Sequence, residues 1–272
     1  MDPILTDNRD RWNALAEARV HHTVPFLDFT REDAARHIYR FPFIPDVSGR
    51  HVLCLASGGG QDSAAFGLLG AVVTVLDLSD TQLARDREAA AHHGYQVTTV
   101  QGDMRDLSMF TNASFDIVWQ EYSINYCPEA EPVIREAARV LRPGGLYYLT
   151  FANPDFAALG DWNGEGYPLR GLCIDGEEVT HYFHPTWDVE QPDGRMTAVP
   201  FPHVFRHNLS TMMNTMVDAG FHFLRLTEWT YDDEPPVPGS WAHRTHCVHP
   251  EFHTYWRLGD AITCIDNSPE MP

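Results

Sequence analysis

From His51 onward, short apolar runs alternate with amphipathic stretches of helix length. His51–Ala56 is a continuous apolar run that ends in Ser57-Gly58-Gly59-Gly60, the pattern of a fully buried parallel strand closed by glycine. Gln61–Leu69 then reads as a helix, and Val72–Leu76 as a second strand closed by Asp77. Ser79 and Asp80 can cap a helix over Thr81–His93, which Gly94 ends. A third strand is expected over Gln96–Gln101 and a fourth over Phe115–Trp119. A helix over Glu131–Leu141 stops at Pro143-Gly144-Gly145, and a fifth strand follows over Leu146–Phe151. The alternation predicts a doubly wound, mostly parallel sheet with helices on both faces.

The flanks read differently. Residues 1–45 are polar and helical, broken by Pro25, Pro42 and Pro45, and are expected to form an N-terminal helical lid. Residues 153–207, rich in proline, glycine and aromatics, are expected to form an irregular substrate cap over the carboxyl edge of the sheet. Residues 46–152 and 208–272 would then form the core. In its second part, Thr211–Ala219 reads as a helix, Phe221–Tyr231 and Phe252–Leu258 as the last two strands, and Asp232–Pro250 as a loop.

Charge narrows the partners. The chain of 272 residues carries 38 acidic and 19 basic residues, a formal net charge of −19. A field of that sign repels phosphate backbones and anionic lipid heads, so no nucleic-acid or membrane partner is expected. No run approaches the length of a membrane span, and the polar start shows no secretory signal. The five cysteines lack CxxC pairing, which suits buried thiols in a reducing, cytoplasmic compartment.

Open α/β sheets bind ligands at the carboxyl ends of their strands. There lie Ser57, Gly58, Gly59 and Gly60, where glycine lets the backbone approach a ligand closely, and Asp77 with Leu78, where a carboxylate can accept both hydroxyls of a ribose. Asp103 can take an adenine amino group, and Met104 can pack on its face. Gln120 and Glu121 follow strand four at the reacting end. Tyr122, Asn125 and Tyr126 come next and are candidates for the substrate pocket, Tyr122 also for catalysis. His184 and His203 in the cap are candidate general bases, His203 also a substrate contact. Trp162, Trp187 and Tyr167 form either an aromatic wall for the substrate or the cap's own small core. Fifteen histidines show no HExxH and no cysteine partner, so no metal site is expected.

Taken together, five stretches (HVLCLASGGGQ at 51–61, VVTVLDLSD at 72–80, QGDMRDLS at 101–108, SFDIVWQEYSINY at 114–126 and RVLRPGGL at 139–146) resemble the class I S-adenosylmethionine (SAM)-dependent methyltransferases, in particular those acting on small molecules. The resemblance covers residues 50–152 well and 210–258 more loosely. It implies a seven-stranded Rossmann-like sheet whose last two strands form an antiparallel edge, SAM as cofactor, S-adenosylhomocysteine as its product, and a small-molecule acceptor. It also implies that N-terminal helices close over the methionine end of SAM, which makes Trp12 a candidate cofactor contact. Similar proteins carry an acid at the position of Cys54 and a glycine at that of Ala56. Two other functions fit parts of the pattern: a non-catalytic SAM- or nucleotide-binding module, suggested by those departures, and an NAD-dependent oxidoreductase, against which the missing GxGxxG spacing speaks. The expected assembly is a monomer or homodimer.

Overall fold

A computed structural model describes residues 2–170, 174–180, 186–190, 194–228 and 236–259. One seven-stranded sheet dominates, in the order β3-β2-β1-β4-β5-β9-β8. Its parallel strands are β1 (His51–Leu55), β2 (Val72–Asp77), β3 (Val97–Gln101), β4 (Phe115–Gln120) and β5 (Leu141–Ala152). At the other edge, β9 (Glu251–Leu258) lies antiparallel between β5 and β8 (Phe221–Thr227).

Strand alternation builds two cores. In β1, Leu53 and Leu55 face one side and pack with Val133, Ile134, Tyr147 and Met216; Val52 and Cys54 face the other and pack with Phe66, Val75, Trp119 and Tyr148. The first layer is covered by α5 (Ala130–Val140) and α7 (Leu209–Asp218). The second is covered by α2 (Arg31–Ile38), α3 (Asp62–Leu68) and α4 (Asp80–His93).

Caps place the helices. Asp2 accepts from the Ile4 N–H at 3.0 Å to start α1 (Pro3–Glu17), with Pro3 in its first turn. Thr30 and Asp33 form a reciprocal capping box at α2. Ser79, not Asp80, caps α4 by accepting from Gln82 N–H at 3.0 Å, and Gly94 ends that helix at φ 76°.

Four segments differ from the sequence expectation. Residues 141–145 belong to β5 rather than to a helix end and turn. Leu141 pairs with Phe115, the register then shifts, and Leu146 pairs with Ile117, so Pro143-Gly144-Gly145 forms an irregularity within the strand. The region 153–207 contains a short helix α6 (Pro154–Ala157) and a hairpin of β6 (Thr186–Glu190) with β7 (Met196–Pro200). The expected loop 232–250 contains α8 (Trp241–Cys247), capped by Ser240, which accepts from His243 N–H at 3.1 Å. Strand β8 stops at Thr227, short of the expected Tyr231, which lies outside the described residues. Among the described residues, no helix is long and apolar enough to cross a membrane.

Candidate active site

A cavity of about 690 Å³ opens at the carboxyl edge of the sheet. Its walls come from the turns after β1 to β4, the end of β5, the start of β9, α1 and the β6–β7 hairpin.

The turn after β1 begins with Ala56 at φ 48°, a left-handed conformation that costs an alanine roughly 1 kcal/mol. Gly58 follows and donates its N–H to Asp77 Oδ2 at 3.2 Å, while Ser79 N–H donates to Asp77 Oδ1 at 2.8 Å. A Cβ on Gly58 would lie 2.9 Å from both Asp77 Oδ2 and Gln82 Cδ, so a side chain there would fill the cradle. Burial pushes the Asp77 carboxyl up to about 6, against the opposing pull of those backbone N–H groups. Gln82 Oε1, also buried and at the cavity, has no hydrogen-bond partner among the described residues. A buried carboxylate beside an unpartnered amide oxygen suits a ligand that brings adjacent hydroxyl donors, as a ribose does.

Ser57, Leu78, Asp103, Met104 and Trp12 also face this cavity. Asp103 is held by Arg105, whose backbone N–H and Nε each donate to it at 2.9 Å. Trp12 projects from α1 and meets Tyr126 edge-on, with ring centroids 4.9 Å apart.

Three residues expected as cofactor contacts do not line the cavity. Gly59 and Gly60 shape the turn rather than the cavity: a Cβ on either would strike the protein backbone, at His22 O and Arg85 O respectively. Gln120 is fully buried. It accepts from the Tyr147 hydroxyl at 2.6 Å and donates to Ser123 Oγ at 3.0 Å and Met104 Sδ at 3.3 Å. Its neighbour Glu121, the first residue past β4, faces the cavity together with Tyr122 and Ser123.

Of the substrate and catalytic candidates, Tyr122, Tyr126 and Trp187 line the cavity. Tyr122 sits at φ 53°, fixed by its N–H donating to Thr150 Oγ1 at 2.6 Å. Trp187 stacks on Phe201 at a 12° interplanar angle, with centroids 5.5 Å apart. Asn125 is fully buried behind the wall. Trp162 packs with Tyr167 and His243, centroids 5.2 and 4.9 Å away, so these rings form a local core and not an aromatic wall for substrate. His203 is drawn away from the cavity by carboxylates on both ring nitrogens, Glu178 at 2.5 Å and Asp7 at 2.6 Å, and ties the cap to α1. His184 lies outside the described residues.

The structure adds residues the sequence reading missed: Asp62, Thr150, Asn153, Glu251 and His253 all face the cavity. His37, Asp62 and Glu121 bring metal-capable atoms within 4.8 Å of one another. Their charges are already matched, however. His37 Nε2 bonds Asp62 at 2.9 Å, and Arg40 lies 3.6 Å from Glu121, where a cation would compete with the guanidinium. Burial opposes charge on His37, but the bond to Asp62 and that carboxylate's field hold its pKa above the ordinary value. Burial, reinforced by Asp62, pushes the Glu121 carboxyl up.

A doubly wound sheet in this order, with an acid closing β2 and a glycine cradle after β1, defines a nucleoside-cofactor-binding α/β protein. Comparison with known proteins narrows the class. The methyltransferase domain family matches residues 53–149. The uncharacterized methyltransferase YbaJ of Bacillus subtilis is 43% identical over 112 residues, 41% of this chain and 44% of that protein. The ubiquinone biosynthesis O-methyltransferase of Xanthomonas oryzae is 35% identical over 118 residues, 42% of this chain and 47% of that protein. The matched region thus spans less than half the length of these curated relatives. A crystal structure of an S-adenosylmethionine-dependent methyltransferase from Mesorhizobium loti shares the fold, with a TM-score of 0.58 at 19% identity, covering 85% of this chain and 100% of that one. Residues 53–149 thus match a methyltransferase domain, and the fold is that of solved SAM-dependent methyltransferases.

Proposed function

We propose that this protein transfers the methyl group of SAM to a small-molecule acceptor. The observation that carries the reading is the single cavity in which the Asp77–Gly58–Gln82 cradle opens into an apolar chamber roofed by α1 and the cap hairpin. Asp77 and Gln82 would hold the ribose hydroxyls, Asp103 and Met104 the adenine, and Ser57 and Gly58 the methionine end. When bound, SAM supplies an activated methyl group on sulfonium, so the protein's own task is alignment and exclusion of water. Trp12, Trp187 and Phe201 exclude water from the chamber, and Tyr122, fixed to Thr150, sets its floor.

A chamber of this size, walled by protein, suits a small acceptor, and the acidic chain disfavours nucleic acid. The O-methyltransferase among the relatives supports oxygen as one accepting atom.

Calorimetric titration with SAM, and separately with NAD, tests the reading. Micromolar SAM binding and none of NAD is expected. Asp77→Ala should weaken SAM more than tenfold, since a hydrogen bond to a charged group is worth about 1.5–3 kcal/mol. A folded protein that ignores SAM would overturn the assignment. SAM binding without methylation of any acceptor would favour a non-catalytic binding module.

A further inference from the structure

We propose that Glu251 is the proton acceptor of the reaction, that His253 is the residue positioning it, and that the acceptor is an uncharged hydroxyl on an apolar body. This rests on the methyl-transfer reading above.

The argument starts at Arg40, which has only donors. Arg40 Nη1 lies 3.2 Å from the Tyr148 hydroxyl, so the hydroxyl oxygen accepts there. The hydroxyl's own proton can reach His253 Nδ1, 2.8 Å away. With Nδ1 accepting, the neutral ring carries its proton on Nε2, which donates to Glu251 Oε1 at 3.1 Å. An ionised Glu251 carboxylate can only accept, so the ring proton on Nε2 points at it, and in the neutral ring Nδ1 is then the acceptor facing the Tyr148 hydroxyl. Tyr148 and His253 are buried, and both Glu251 and His253 face the cavity.

The sheet delivers this pair to the candidate reaction site. His253 pairs with Thr150 across β5 and β9, and Glu251 pairs with Ala152. Thr150 is the residue that fixes Tyr122 after β4. The first residues of β9 thus stand beside the turn after β4, the proposed reacting end of the cavity. His253 cannot itself take a proton at Nε2 in this tautomer, which leaves the carboxylate as the base.

The step balances. The acceptor oxygen bonds to the methyl carbon, and the methyl–sulfur bond breaks with its electron pair left on sulfur. The hydroxyl proton passes to a Glu251 carboxylate oxygen and then to water. A thiolate or free amine would need no such base.

The chamber's charge sets the acceptor class. Its two guanidiniums are each matched by acids: Arg105 by Asp103, Asp2 and Glu129, and Arg206 by Glu177 at 3.7 Å. Asp62 and Glu121, paired with His37 and Arg40, face the cavity together with Glu251, so an anionic acceptor would meet no unmatched guanidinium among the described residues. Leu5, Trp12, Phe156, Trp187, Phe201 and Trp241 supply apolar walls.

A matched pair of probes tests this: 2-naphthol, a hydroxyl acceptor, and 2-naphthalenethiol, which is largely ionised at about pH 8. SAM binding by calorimetry and S-adenosylhomocysteine formation are measured for the full chain and for Glu251→Gln, Glu251→Ala and His253→Gln. The expected result is methylation of 2-naphthol by the wild type and SAM binding retained in all four proteins. The naphthol rate should fall about a hundredfold in Glu251→Gln. The naphthol-to-thiol rate ratio should fall at least about tenfold in both Gln variants, a selective loss that a merely structural role would not produce. Added formate should restore part of the naphthol rate in Glu251→Ala. An unchanged rate ratio, no formate rescue, or a SAM-binding wild type that leaves 2-naphthol unmethylated overturns the proposal and leaves the cofactor reading standing. A wild type that does not bind SAM overturns both.

Discussion

Protonating Asp77 should release the cofactor. Its carboxyl is buried, and without ligand its pKa stands at about 6 rather than 3.8. Ribose hydroxyls donate to the ionised form, so binding selects the carboxylate, and affinity must fall on the acid side. The loss follows the neutral fraction of the free protein: negligible at pH 7, and about tenfold at pH 5, or roughly 1.4 kcal/mol. The same shift has the opposite sign for the ligand-free fold. A raised carboxyl pKa contributes stability that is fully present below 3.8 and is lost as pH rises through about 6, so the charge the cofactor needs is one the empty fold resists. Calorimetric SAM titrations at half-unit steps from pH 5 to 7, with circular dichroism confirming the fold at each step, measure the effect. Asp77→Asn is the control: weaker at pH 7 and flat with pH over that interval. Equal wild-type affinity at pH 5 and pH 7 in folded protein would refute the argument.

Two further outcomes concern stability. Ala56→Gly should raise the free energy of unfolding by about 0.5–1 kcal/mol in urea, because glycine adopts the left-handed turn without the Cβ conflict; a loss of stability would count against that account. Asp86 is buried, and burial, reinforced by Asp77 and Asp62, pushes its carboxyl up to about 8. Its contribution is therefore present at low pH and fades as pH rises through 8. Wild type should lose about 1–2 kcal/mol between pH 7 and pH 9 that Asp86→Asn does not lose, and parallel urea curves for the two proteins would contradict it.

β1, β2 and β4 were legible because a largely buried parallel strand leaves an apolar run, whereas β3, an edge strand of sequence VTTVQ, was legible from its β-branched residues and its place in the alternation. The acid after β2 and the glycine cradle were legible because strand ends locate them. Gln120 was misplaced for a reason of one residue: β4 runs one position further than its apolar run, so Gln120 is the strand's buried last residue and the turn facing the cavity starts at Glu121. The β6–β7 hairpin was hidden because most of its positions are exposed and carry no inward-facing alternation. Helix α8 is seven residues long, and what anchors it is tertiary: Trp241 meets Phe156 edge-on at 5.6 Å. Trp162 and His203 had side chains suited to a substrate pocket, but their partners, His243 for one and Asp7 and Glu178 for the other, are distant in sequence. Glu251 and His253 were within reach, since residues two apart at the start of a strand share a face, but nothing local says which strand end meets the cavity.

The sheet order bears on how the chain acquires its activity. Strand β9 follows all the others in sequence, yet it sits inside the sheet, between β5 and β8. Until it inserts, β8 has no partner, and β5 presents an open edge of unpaired peptide groups. The cavity draws on residues from Asp2 to His253, so its wall is completed by the same late event. Pairings this distant in sequence carry a large loop-closure cost and form slowly. A chain emerging from the ribosome would hold most of its cofactor cradle early and gain the β9 residues of the chamber only when that strand docks.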